Sequence, residues 1–128
     1  MADSSVVTNL GRAQAAARIN SAGTVWGWLS LSTGETAGAS PAVTDTTLTT
    51  PLGARVVGTN SIVTTTVTND TFQTVGTFSG ATYAGTITAI GVFDALTAGN
   101  MVAKTILGAA QVILAADSYQ VTYGFKFS

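Results

Sequence analysis

From Ser118 to Phe127 the chain alternates without a break: Tyr119, Val121, Tyr123, Phe125 and Phe127 point one way, and Ser118, Gln120, Thr122, Gly124 and Lys126 the other. A period of two is the pattern of a strand with one face on a core. Such a strand needs partners of its own kind, and the chain upstream supplies them. Thr71 to Phe78 sets Phe72, Thr74, Gly76 and Phe78 on one face. Ser61 to Thr68 is rich in Val, Ile and Thr, whose branched side chains suit a pleated surface. Asn69-Asp70 between these two segments reads as a two-residue hairpin turn. Thr86 to Phe93, Met101 to Leu107 and Gln111 to Leu114 read as further strands, separated by turns at Asp94 to Asn100 and at Ala115-Ala116-Asp117. Val25 to Leu31 reads as the first strand, with Trp26 and Trp28 on the same face. Short strands with regular turn signals predict an all-β fold, an antiparallel sandwich or barrel-like domain.

The remaining segments are less regular. Residues 1 to 8 are small and polar with Val6 and Val7 as the only anchor, and read as an N-terminal arm or an edge segment. Asn9 is placed to cap one short N-terminal helix through Ala13, Gln14, Ala15, Ala16, Ala17 and Arg18, which Ser21-Ala22-Gly23 ends. A helix so short needs packing to persist. Ser32 to Pro41 is a loop by composition. Thr44 to Leu48 fits either one helical turn or a loop crossing the end of a sheet. No segment recurs at a fixed period, so a solenoid or propeller is not expected. The 128 residues are the size of one domain, 1–128, with the arm at 1–8 inside it.

Composition bears on partners. Only 9% of the residues are charged, against about 25% in an ordinary soluble domain. The surface is therefore largely Thr, Ser, Ala and Gly, which is cheap to desolvate and suits permanent contact with other subunits. The net charge is −1; Arg12, Arg18, Arg55, Lys104 and Lys126 are scattered, so no basic patch for nucleic acid is expected. There is no cysteine, hence no disulfide or thiolate metal site. No apolar run approaches the ~20 residues of a membrane-spanning helix. Met1-Ala2-Asp3-Ser4-Ser5 lacks the basic head and apolar stretch of a secretory signal.

The inventory for catalysis is thin. Histidine is absent, which removes the commonest general base and metal ligand. Glu35 is the single glutamate and sits in a glycine-containing loop. Asp45, Asp70, Asp94 and Asp117 fall at turns or caps, where aspartate serves local hydrogen bonding. A serine or threonine nucleophile would have only Lys104 or Lys126 as its base. Gly34-Glu35-Thr36-Ala37-Gly38 lacks the lysine of a phosphate-binding loop. Asn69-Asp70-Thr71 matches a glycosylation sequon but reads first as a turn. Trp26 and Trp28 suit packing or an interface, with a sugar platform as the alternative. No enzyme activity and no cofactor or metal are expected.

Several stretches resemble a family of small structural proteins of tailed bacteriophages. They are Trp26-Gly27-Trp28-Leu29-Ser30-Leu31-Ser32-Thr33-Gly34, Pro41 to Leu48, Val63 to Gln73, Ile87 to Asp94, Gly99-Asn100-Met101 and Ala116 to Thr122. Ala89 stands where members of that family usually carry an acidic residue. The resemblance implies a virion part: a capsid cement (decoration) protein, with a tail or tail-fibre component as the alternative. A carbohydrate-binding β-sandwich using Trp26 and Trp28 is a third hypothesis, from another class. The resemblance also implies a homo-oligomer, a trimer first, packed on the major capsid protein or other virion proteins, with no nucleic-acid or membrane partner. The chain would be held in the host cytoplasm until it joins the virion. Val6, Val7, Trp26 and Trp28 are the candidate interface residues.

Overall fold

The computed structural model describes residues 4–8, 26–64 and 71–126. Among them the strands are β1 (Ser4–Val7), β2 (Trp28–Ser32), β3 (Pro51–Val57), β4 (Thr59–Val63), β5 (Thr71–Ser79), β6 (Gly85–Phe93), β7 (Met101–Ile113) and β8 (Ser118–Lys126), with a single-turn helix α1 (Gly80–Tyr83). They form a five-stranded sheet in the order β1-β7-β6-β2-β3 and a three-stranded sheet in the order β4-β5-β8. Every pairing is antiparallel. The domain is an all-β sandwich.

The alternation in β8 does what its pattern implies. Val121, Tyr123 and Phe125 are buried, and Gln120, Thr122 and Gly124 are exposed. They meet Leu29, Leu31, Ile90, Val92, Val102 and Leu107 of the larger sheet in one inner core, joined by Phe78. Trp26, Phe72, Tyr123 and Phe125 pack edge-on or tilted, with ring centroids 5.2–6.4 Å apart, the geometry aromatic quadrupoles favour. Gly76 faces the same core; a Cβ there would lie 2.6 Å from Leu29 Cδ1.

The larger sheet is buried on both faces. Its outer side carries Phe93 opposite Met101, Gly91 opposite Lys104 and Ala89 opposite Ile106. Loop 33–50 folds over this side and sets Leu48 into a second apolar cluster with Ala89, Phe93, Met101 and Ile106. The small residues make the room: a Cβ on Gly91 would come within 3.2 Å of Leu48. The protein thus has three layers: a small sheet, a large sheet and a loop.

Several sequence-based expectations need correction. The segment expected as the first strand is β2, which begins at Trp28 and follows β1 in the chain, and the two tryptophans do not share a face. Trp26 enters the inner core and Trp28 packs on the outer cluster. Gly27 between them has φ +148°, a backbone glycine adopts freely, and it breaks the alternation. Residues 51 to 57 form edge strand β3, whose mostly half-buried or exposed residues carry no period of two that would mark a strand in the sequence. Thr44 to Leu48 is loop and turn, lying on a sheet face rather than across its end. The segments 101–107 and 111–114 are one continuous strand, β7, as far as Ile113. Of the two readings of residues 1 to 8, arm or edge segment, the described residues bear out the second: Ser4–Val7 is an edge strand, with Ser4 to Val7 opposite Ile106 to Ala103. The helix expected after Asn9 and the turn at Asn69-Asp70 lie outside the described residues. The described part of that hairpin ends with Val63 paired to Thr71.

Candidate functional site

Among the described residues, three charged side chains far apart in the sequence, Glu35, Asp45 and Lys104, meet on the outer face of the larger sheet. Lys104 stands mid-strand in β7, opposite Gly91 on one side and Val6 on the other. Its ammonium lies 3.4 Å from Glu35 Oε1 and 3.3 Å from Asp45 Oδ2. The Lys104 and Glu35 side chains are only 7% and 4% exposed, and Asp45 is 30% exposed. The two carboxylates come from loop 33–50, so the cluster fastens the loop over the sheet. Burying ions is costly unless pairing and hydrogen bonds compensate. The compensation here is local: Thr49 N–H donates to Glu35 Oε1 at 2.7 Å, and Ala42 N–H to Asp45 Oδ2 at 3.1 Å. Glu35 N–H donates to Thr88 Oγ1, whose hydroxyl donates to the Ser32 carbonyl.

Burial pushes the Glu35 carboxyl up, but the Ser32 hydroxyl, the Thr49 backbone and side chain, and the Lys104 charge together outweigh it. They hold the group below its ordinary value of 4.5. Glu35 Oε2 is buried with no hydrogen-bond partner.

A second device fixes loop 94–100. Asp94 accepts from Asn100 N–H at 2.7 Å and from Asn100 Nδ2 at 3.2 Å. Ala98 has φ +53° and Gly99 φ +68°. Arg55, on β3, reaches across to donate to the Ala95 and Ala98 carbonyls, each at 2.7 Å, and its guanidinium lies 3.5 Å over the Phe93 ring. Burial lowers its pKa and the nearby Asp94 raises it; a guanidinium stays charged throughout.

A cleft of about 340 Å³ opens between the sheets at the β1 and β8 edges, lined by Ser5, Thr105, Leu107 and residues 119–124. Its hydroxyls are engaged with one another: Ser5 bonds Thr105, and Thr105 donates to Tyr123 Oη at 2.7 Å. Burial pushes the Tyr123 phenol up to about 12, against the lowering effect of Thr105 and Ser5. A phenol so placed does not exchange protons near neutrality.

Of the candidate interface residues, Trp26 is buried, Trp28 and Val6 are half-buried, and Val7 is placed by its backbone pairing with Ala103. None of these is an open aromatic platform. Exposed large apolar side chains occur elsewhere, at Val57, Leu96, Val112 and Leu114; the last two are 63% and 62% exposed. The described aspartates serve as the turn reading expects: Asp45 binds Ala42 N–H, Asp94 binds Asn100 N–H and Asp117 binds Leu114 N–H. Asp70 and Arg12 and Arg18 lie outside the described residues. Sequence reasoning missed the Lys104 cluster. Its signal was a lysine at an alternating position inside an apolar β-run, which demands a buried partner.

Comparison with family models, with curated proteins and with solved structures finds no match to this chain.

Proposed function

We propose that this sandwich is a virion structural protein, a capsid cement (decoration) subunit that works by packing against other subunits. One observation carries the reading: a surface with very few charges leaves Val57, Leu96, Val112 and Leu114 in solvent. Large apolar side chains on a charge-poor surface lose little on desolvation and gain by contact. The groups with chemical potential are spent on architecture, the aspartates in turns and Lys104 and Glu35 in a staple. The likeness of the strand-and-turn segments to tailed-phage structural proteins supplies the particle. The partners are other copies of the chain, a trimer first, and the capsid surface.

The test is fractionation of purified particles together with binding of the isolated subunit to particles that lack it. Many copies on the head, and binding weakened at least tenfold by Val112→Asp with Leu114→Asp while the subunit stays folded, support the reading. Few copies confined to the tail replace it with a tail role. Absence from the particle, or a hydrolase activity lost on changing one aspartate, overturns it.

A further inference from the structure

Lys104, Glu35 and Asp45 are arranged for a covalent step as well as for an ion pair. The amine lies 3.3 Å from Asp45 Oδ2, and the carboxyl carbon is one bond beyond that oxygen. Both the amine and the Glu35 carboxylate are almost wholly removed from water. A second observation is independent of the pairing: Glu35 Oε2, the other oxygen of the carboxylate that meets the ammonium through Oε1, is buried with no hydrogen-bond partner. An acceptor left open in a dry site is a place for a proton to go. The Thr49 and Ala42 N–H groups hold the two carboxylates within the loop, and Gly38 N–H on the Leu107 carbonyl and Glu35 N–H on Thr88 Oγ1 tie the loop to the sheet, so the three side chains meet in a fixed frame.

We infer that Lys104 and Asp45 join through an isopeptide bond, with Glu35 relaying the protons, so that loop 33–50 is crosslinked to β7. The ammonium gives a proton to the Glu35 carboxylate and becomes a neutral amine. Its lone pair forms the N–C bond at Asp45 Cγ, and the carbonyl π pair moves onto oxygen. Collapse of that adduct breaks one C–O bond. The departing oxygen takes the proton held by Glu35 and a second proton from the nitrogen, and leaves as water. The ammonium's three hydrogens end as one amide N–H and one water, Glu35 returns to its carboxylate, and no oxidant or other reactant is needed. Two features favour the condensation. Side chains held in contact react with effective molarities on the order of 10⁵–10⁸ M, and a neutral amide replaces an ion pair whose lysine is buried. Asp45 is the most exposed of the three, which gives the water its exit. The inference concerns the isolated subunit and does not depend on where the protein assembles.

The experiment is the intact mass of the full chain, followed by tryptic mapping. The folded protein is expected to be lighter than its sequence by one water. A branched peptide should join Lys104 to Asp45, and trypsin should no longer cut after Lys104. Lys104→Arg and Glu35→Gln should both restore the full mass, with circular dichroism confirming the fold. Asp45→Asn should instead lose one ammonia, because the leaving group is then an amine. That outcome separates the crosslink from dehydration elsewhere. Folded wild-type protein at its full sequence mass overturns the inference, as does a water loss that survives Lys104→Arg. Crosslinking at an unchanged rate in Glu35→Gln overturns the role given to Glu35.

Discussion

Replacing Arg55 with methionine removes the guanidinium and keeps most of the aliphatic stem. The structure sets the size of the effect. Arg55 makes two charge-assisted hydrogen bonds to loop 94–100, at 2.7 Å each. Bonds to charged groups contribute about 1.5–3 kcal/mol each when well shielded. Arg55 is only partly buried and its bond to Ala98 is exposed, so about half of the combined value is retained, roughly 1.5–3 kcal/mol. The stacking on Phe93 adds about 0.5–1 kcal/mol. The expected loss is therefore about 2–4 kcal/mol, a large share of the ~5–15 kcal/mol that stabilises a domain. The loop has its own reason to open, because Ala98 in the left-handed region costs roughly 1–2 kcal/mol. Urea denaturation at equilibrium measures the loss, and hydrogen exchange locates it. Amides 95–99 should exchange faster than those of β8, whose pairing with β5 is untouched. Both bonds come from one nitrogen, Nη1, so Arg55→Lys should recover part of the loss through its ammonium but not the planar stacking on Phe93. A midpoint for Arg55→Met within about 0.5 kcal/mol of wild type, with loop protection unchanged, would refute the clamp.

Three further outcomes follow from the same geometry. The Glu35 carboxyl is held below 4.5 when folded. Its contribution is therefore present above the unfolded pKa and is lost as pH falls through the folded one; acid titrations of stability should steepen below about pH 4.5, and Glu35→Gln should flatten that slope. Tyr123 is displaced upward, from 10.0 to about 12, so its contribution is complete below pH 10.0 and disappears as pH rises through about 12. Ultraviolet titration should show one tyrosine ionising last, and Tyr123→Phe should abolish that component while costing about 1–2 kcal/mol at neutral pH. At Gly80 the added Cβ would collide with the Leu114 carbonyl, where Gly80 N–H already binds Asp117. Gly80→Ala should cost at least about 1–3 kcal/mol in thermal or chemical unfolding, and an unchanged midpoint would show that the backbone there yields freely.

What the sequence determined by itself is the set of strands whose own residues alternate, together with the turns its aspartates close. β8 and β5 were legible because one face of each lies on the inner core, and a period of two records that burial locally; β6, buried on both faces from Ile87 to Phe93, was legible as an apolar run between turns. The turn at residues 115–117 was legible because Asp117 satisfies a backbone N–H three residues away, at Leu114. β3 left no such record: as an edge strand it has no continuously buried face, and its residues are free of the pattern. The placement of the tryptophans on opposite faces turned on the backbone of Gly27, which composition does not encode. The second core and the Lys104 cluster belong to tertiary structure alone. Glu35 and Asp45 lie far from Lys104 along the chain, and they meet it only because loop 33–50 folds back over the sheet that contains β7. A sequence records what each residue needs, a dry face or a counter-charge; which partner meets that need is decided when the sheets and the loop close on one another.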